Sequence, residues 1–222
     1  MINEIVISKP AMTLLFNSTS KADGRFALAG ILMREYKDYF VMVASDTHTL
    51  TEITYCKNPE TVEVTKKGKL LKEKIIHHKI LKTYLSDKLQ KGQYYIKIDE
   101  LFELDYVDGQ FPRYESIFID YKKATTVMTI DFAGLMRAFI PFYFDMGFLL
   151  NIKNYAESIS CRLDIRSFVD DEYKPFGFEN MESSDGFIKH TCFIKHTFMP
   201  IGTKGFDVKD LNLYKVKENG NA

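Results

Sequence analysis

Between Arg25 and Tyr55 the chain reads RFALAGILMREYKDYFVMVASDTHTLTEITY. Arg25 to Arg34 alternates large and small residues, as a half-buried strand does. Tyr39 to Ala44 is apolar throughout and predicts a fully apolar strand. Leu50 to Tyr55 is β-branched and aromatic, and predicts a third strand.

Working outward, Ile2 to Ile7 reads as a strand and Ser8 as a helix N-cap, with Pro10 in the first turn. Met12, Leu15, Phe16 and Thr19 then recur at helical spacing up to Asp23-Gly24. Thr61 to Thr65 predicts a further strand. Ile75 to Lys91 reads as the clearest helix, with an apolar stripe of Ile76, Ile80, Leu81, Tyr84, Leu85 and Leu89. Tyr94 to Ile98 and Leu101 to Val107 read as strands, and Asp108-Gly109 as a turn.

A second half begins near Lys122. It offers a strand over Thr125 to Ile130 and a helix from Asp131 carrying Leu135, Met136 and Phe139. Further strands are expected over Phe148 to Ile152, Ser158 to Ile165 and Phe187 to Ile201. Asp170 to Asp185 reads as an acidic loop, and the residues after Gly202 as a C-terminal extension. Each half mixes several strands with one or two helices, without βαβ alternation. The expectation is an α+β protein of antiparallel sheets, divided into residues 1–121 and 122–222.

The 222 residues are 45% hydrophobic, which is ample for a core and argues against disorder. Thirty basic and thirty acidic residues cancel, which excludes a uniformly basic nucleic-acid binder. Cys56, Cys161 and Cys192 are odd in number and far apart, so a reducing, cytoplasmic setting is expected. The start, MINEIVISKPAM, does not read as a signal peptide, and no run suits a membrane span.

No nucleotide-binding glycine loop, GxSxG elbow or HExxH motif occurs. His190, Cys192 and His196 share one face of an expected strand and are the strongest metal candidate. Zinc sites usually draw on two separate pairs, and the only other close pair is His77-His78, so no metal or cofactor is expected. Asp46 and His48 lack a serine in a strained turn that would complete a hydrolase triad. The repeat of FIKHTC in FIKHTF, residues 187–198, is too short to be structural. Nothing argues for an enzyme.

Two stretches together are more specific. Arg25 to Leu32 is followed by Val43-Ala-Ser-Asp-Thr-His-Thr-Leu50, and later by Val107-Asp-Gly-Gln-Phe-Pro-Arg-Tyr-Glu-Ser-Ile117. This pattern resembles the middle domain of the bacterial DNA polymerase III beta sliding clamp family. There R-x-x-L-x-G, A-T-D-G-H-R-L and V-D-G-x-F-P-D-Y follow in this order. Thr197-Phe-Met-Pro-Ile201 resembles, more weakly, the V-M-P-M near that family's C-terminus.

The resemblance implies a DNA-clamp fold, with antiparallel sheets outside and helices on one face lining a hole. It implies a processivity factor that encircles duplex DNA through phosphate contacts and tethers polymerase and clamp loader through short peptides. Six clamp units from a two-unit chain need three copies, so a trimeric, phage-like ring is implied. The implied peptide groove uses Leu28, Ser45, His48, Leu50, Met199, Pro200 and Ile201. The implied DNA-facing residues are Lys21, Lys79, Lys82, Lys88, Lys91 and Arg137. The alternative is a clamp-fold adaptor or inhibitor that binds replisome proteins without closing a ring.

The sequence departs from the family at Thr47, where a glycine is expected, so the turn there cannot take a positive φ cheaply. Arg113 replaces an aspartate, Ile119 a proline, and about twenty residues follow Ile201. The zero net charge resolves into blocks. Nine lysines between Lys66 and Lys91 face only two acids, whereas Ile98 to Asp120 holds seven acids and one arginine. That split suits a ring with a basic lumen and an acidic exterior.

Overall fold

A computed structural model describes residues 4–21, 26–58, 68–115, 117–118, 120–121, 123–131, 136–138, 146–168, 175–184 and 190–198. Strand β1 (Glu4–Ser8) leads into helix α1 (Lys9–Asn17). Ser8 caps α1 as expected: its Oγ accepts from the Ala11 N–H at 3.2 Å, and Pro10 stands in the first turn. The helix stops earlier than expected, at Ser18, whose Oγ donates to the Leu14 carbonyl. A hydroxyl that competes for helix carbonyls ends the run before Asp23-Gly24, which lies outside the described residues.

The run from Arg25 is corrected at its start. A single helical turn, α2 (Phe26–Ala29), precedes β2 (Gly30–Tyr36). β3 (Tyr39–Ser45) and β4 (Thr49–Cys56) follow as expected. The expected strand over Thr61 to Thr65 lies outside the described residues. β5 (Leu70–His77) then takes the first residues of the expected long helix. Ile75 and Ile76 are β-branched and pair with Leu32 and Ile31 of β2, so sheet pairing wins over the helical stripe. The helix α3 (His78–Tyr84) starts only after His77, whose Nδ1 accepts from the Lys79 N–H. A 3-10 turn at Leu85–Asp87 closes it.

β6 (Leu89–Gln90) and β7 (Gln93–Lys97) form a hairpin through Lys91-Gly92. Leu101 to Val107, expected as a strand, instead begins inside helix α4 (Ile98–Glu103). Asp99 and Glu100 occupy its first turn, where carboxylates favour a helix N-terminus. β8 (Thr125–Ile130) matches its expectation, but Met136 lies in a short strand, β9 (Met136–Ala138), not in a helix. Phe148 to Ile152 is helical, within α5 (Met146–Ile159). Leu149, Ile152, Tyr155 and Ala156 are its buried residues and recur at helical spacing, which a five-residue window hides. The last strands are β10 (Leu163–Ser167), β11 (Phe176–Ser184) and β12 (His190–Phe198). β11 occupies most of the segment expected as an acidic loop.

Nine strands form one antiparallel sheet in the order β5-β2-β3-β4-β12-β11-β10-β8-β9, and β1-β7-β6 form a second. The junction is β4 with β12, eight residue pairs from Thr49↔Phe198 to Cys56↔Thr191. It joins the N-terminal and C-terminal parts of the chain into one sheet. The α+β architecture of antiparallel sheets is as expected.

The apolar run of β3 is explained by two cores. Phe40, Met42 and Ala44 face the main core, which the helices and β1 also enter. Tyr39, Val41 and Val43 face a second cluster on the other side, covered by Phe111 and Tyr114. Ile5, Leu15, Leu81, Leu101 and Ile152 all belong to the first cluster, so α1, α3, α4 and α5 share it.

Candidate nucleic-acid and partner-docking surfaces

Helix α3 carries Lys79 and Lys82 on its exposed side. Lys82 lays its ammonium 4.9 Å from the centre of the Phe16 ring, which binds the α3 surface to α1 by a cation–π contact. Lys79 and Lys82 make no ion pair among the described residues. Lys88 differs: it is half-buried, pairs with Glu100 at 3.3 Å and lies over the Tyr84 ring. Glu100 also accepts from the Tyr84 hydroxyl at 2.8 Å. Three donors, Tyr84, Lys97 and Lys88, hold the Glu100 carboxyl below the usual carboxylate range. Lys88 is therefore already spent on an acid.

Lys91 is exposed at the β6–β7 turn with φ 48, a left-handed conformation that sets it beside Gly92. The Lys9 N–H donates to the Gly92 carbonyl at 2.8 Å, so Lys9 adjoins this turn. Lys9 was not singled out in the sequence, although an exposed lysine at a helix start next to a lysine turn is a legible signal. Lys21 is exposed just past α1. Arg137 stands on β9, at the opposite end of the nine-stranded sheet from β5 and α3.

Of the expected groove residues, Leu28 and Leu50 are brought together. Both belong to the second apolar cluster, and Leu50 is only 3% exposed. They are buried core members of that cluster. Ser45 and His48 flank the β3–β4 turn. Met199, Pro200 and Ile201 lie outside the described residues.

The turn itself takes the positive φ that the sequence made costly. Thr47 takes φ 81, the left-handed region that a β-branched residue rarely enters. Its neighbours hold it there. Asp46 Oδ1 accepts from the N–H of His48 at 2.9 Å, the N–H of Thr49 at 2.6 Å and the Thr49 hydroxyl at 3.0 Å. Ser45 Oγ donates to the Thr49 carbonyl and accepts from the Thr47 N–H. Asp46 thus serves the turn, and it makes no bond to the His48 ring. His48 is exposed and lines a cleft of about 770 Å³ with Lys21, Phe148, Leu150 and Asn151.

Two of the three metal candidates are taken up elsewhere, and the side chain of His190 lies outside the described residues. Cys192 and His196 share a face of β12 as expected, but both are buried with other duties. The Cys192 thiol points to the Val6 carbonyl at 3.6 Å, and burial pushes its pKa well up. His196 Nδ1 meets Thr51 Oγ1 at 2.8 Å, and Thr51 meets Ser18 Oγ at 2.6 Å. The orientation that leaves no buried N–H unpaired has His196 Nδ1 donating to Thr51 and Thr51 donating to Ser18. The bare Nε2 then lies among the rings of Phe178 and Phe198 without a partner. Burial lowers the His196 pKa to about 3. This chain ties α1 to both strands of the β4–β12 junction. No group of three metal-ligating side chains occurs among the described residues, nor does a helix long and apolar enough to cross a membrane.

An α+β chain with one antiparallel sheet continuous across its junction, and helices sharing a single core, defines a small class of folds. Comparison with solved structures identifies it as the sliding-clamp fold. The chain matches the Bacillus subtilis DNA polymerase sliding clamp with TM-score 0.56 at 12% identity, over 90% of this chain and 64% of that one. It matches the H. pylori beta clamp, solved with diflunisal, with TM-score 0.55 at 14% identity, over 90% and 66%. The Thermotoga maritima DNA polymerase III beta subunit gives TM-score 0.50 at 13% identity, over 89% and 65%. The chain spans slightly less than two thirds of the length of these clamps. No protein-family model and no curated protein sequence matches it.

Proposed function

We propose that this chain is a sliding clamp, closing a homotrimeric ring around duplex DNA and tethering a DNA polymerase and its clamp loader through short peptides. In this reading residues 1–121 and 122–222 are two clamp units, and three copies supply six. The observation that carries it is the nine-stranded sheet, which among the described residues ends on β5 at one side and on β9 at the other. β5 ends one side with Leu70 and Leu71 at 40% and 53% exposure, and β9 ends the other with Met136 at 43%. Sheet edges that carry exposed apolar side chains favour association. A contact of one end with the other is heterologous, and such contacts make rings when the rotation closes.

The lysines of α3, with Lys21 and Lys91, are assigned to DNA phosphates, which carry no sequence information and permit sliding. Lys88 and Arg137 take no main part: one is paired with an acid, the other stands at the far end of the sheet. The partner peptide is assigned to the rim of the second cluster, at Leu28, Ser45, His48 and Leu50, with Met199 to Ile201 as the other wall. No chemical step is required of the protein.

Native mass across a range of concentrations tests ring closure, with a species of three chains expected. Retention on nicked circular DNA, lost when the DNA is linearised, tests encirclement. A chain that stays monomeric, and still captures a clamp-binding peptide, is instead an adaptor.

A further inference from the structure

α1 and α5 pack side by side. Asn17, the last residue of α1, donates through Nδ2 to Asn151 Oδ1 near the start of α5, at 3.1 Å. The two helices line a cleft of about 990 Å³ that runs from Asn17 and Asn151 to Lys9 and Ile159. That volume lies in the range of small-molecule sites. Lys9 and Lys91 lie at its mouth, both exposed, and neither makes an ion pair among the described residues. The positive end of the α1 dipole lies at the same place.

The cleft's floor has the opposite character. Asn180 and Glu182 come from β11, and Tyr155 from α5. The Tyr155 hydroxyl donates to Glu182 Oε1 at 2.7 Å and accepts from Asn180 Nδ2 at 2.9 Å. Tyr155 is buried, and Glu182 is half-buried with no cation in ion-pair distance among the described residues. The network uses the donors of Asn180 and Tyr155 and one oxygen of Glu182. It leaves two acceptors, Asn180 Oδ1 and Glu182 Oε2, without a hydrogen-bond partner among the described residues.

A cleft with cations at the mouth and paired acceptors on the floor selects a ligand with an anionic tail and a donor-bearing head. A nucleotide has this polarity. Among the bases, guanine alone shows two adjacent donors, N1–H and the exocyclic N2 amine, on its Watson–Crick edge. A carboxylate reads that pair, whereas adenine and cytosine offer one donor beside an acceptor, which a carboxylate repels. The edge is hidden in a duplex and open in an unpaired nucleotide.

We propose that the α1–α5 cleft binds an unpaired guanine nucleotide, with its phosphate at Lys9 and Lys91 and its base edge at Glu182 and Asn180. Two sources supply the same chemistry: a free guanine mononucleotide, and an unpaired guanine in a DNA strand. The second source rests on the clamp reading, because it needs DNA beside this helix face; the first does not. Tyr155 is a positioning residue, since its hydroxyl fixes the carboxylate and leaves Oε2 toward the ligand.

Titration calorimetry of the full chain with dGMP, dAMP and dCMP tests the site. A dGMP preference of about tenfold is expected, the discrimination of one bidentate base contact. Glu182→Gln keeps the acceptor for Tyr155 and places an amide at the other position, so the preference is lost while the melting temperature holds. Lys91→Ala, on an exposed turn, weakens dGMP several-fold and leaves deoxyguanosine unchanged. Equal binding of the three nucleotides, no binding at millimolar concentration, or a preference that survives Glu182→Gln each overturns the proposal. A gapped duplex with one unpaired guanine, compared with one holding an unpaired adenine, distinguishes the sources. Binding of dGMP with no difference between the gapped duplexes assigns the site to the free nucleotide. Ring closure is read separately by native mass, so a failed clamp reading leaves the mononucleotide result standing.

Discussion

The exposed faces of α3 and α5 rest on one core and carry different surfaces. α3 presents Lys79, Lys82 and Thr83, with no acid paired to either lysine among the described residues. α5 presents Leu150, Asn154, Glu157 and Ser158, and its one lysine, Lys153, is held by Glu157 at 2.5 Å. A helix pair i, i+4 of this kind neutralises its own charge. Of the two helices, α3 therefore offers unpaired cations and α5 a neutral, amide-rich surface. The difference teaches that the zero net charge of the whole chain is a poor guide to what a helix face meets.

The comparison holds only while both helices ride on one sheet, and the largest expected effect breaks that platform. A Cβ on Gly177 would stand 2.4 Å from the His196 carbonyl oxygen and 2.6 Å from the Tyr121 hydroxyl. One of these is backbone and cannot yield cheaply. Gly177→Val is expected to cost about 3 kcal/mol or more, measured by urea unfolding, because overpacking here parts β11 from β12. A variant within about 0.5 kcal/mol of the parent would show the junction to be looser than its hydrogen bonds imply.

Acid loosens the same platform through His196. Its folded pKa, about 3, lies below the ordinary 6.5, so the unfolded chain binds the proton first. The stabilisation is fully present above pH 6.5 and falls as pH drops toward 3, by up to about 1.4 kcal/mol per pH unit. His196→Gln is expected to lower stability at neutral pH and to flatten that slope between pH 6 and 4. An unchanged slope would remove His196 from the account.

Charge reversal then sharpens the comparison of faces. Lys79→Glu with Lys82→Glu is expected to weaken duplex binding and to reduce the slope of log affinity against log salt by about 2. Lys153→Glu should change that slope little, because Glu157 already cancels the lysine. Equal losses from both helices would mean that α5 faces phosphate as closely as α3 does.

Much of this was legible in the sequence. The two-sided burial of β3 is written in the unbroken apolar run of Tyr39 to Ala44, and the α1 cap in Ser8 and Pro10. The clamp fold was readable from Arg25 to Leu50 and Val107 to Ile117, although the first of these holds a helical turn where a strand was expected. What failed were short windows. Five apolar residues at Phe148 look like a strand until Tyr155 and Ala156 continue the helical spacing. Ile75 and Ile76 join the stripe of α3 in sequence, yet β2 claims them as strand partners. The ion pair of Lys88 with Glu100 spans twelve residues and an intervening hairpin, so no local pattern announces that this lysine is neutralised. The groove residues Leu28 and Leu50 were found together, but as buried members of a cluster, which spacing alone does not distinguish from an open wall.

The smallest expected effect concerns the turn between the two faces. Thr47 sits with φ 81 beside His48, in the cleft that α5 opens toward Lys21. A threonine in the left-handed region costs on the order of 1 kcal/mol relative to glycine, which enters it without a Cβ clash. Glycine loses more chain entropy on folding, which offsets part of the gain. Thr47→Gly is therefore expected to stabilise the chain by about 0.5–1 kcal/mol, read as a rise in melting temperature. Asp46→Ala should do the reverse, because it removes the three bonds that hold the turn, and the penalty should shrink when Thr47 is already glycine. A double-mutant cycle reads this directly. If the two changes add without coupling, Asp46 is not what holds Thr47 in its strained conformation. Coupling of the expected sign would show that a threonine was accommodated here by its neighbours' hydrogen bonds, and that the turn geometry is held independently of the residue that most easily adopts it.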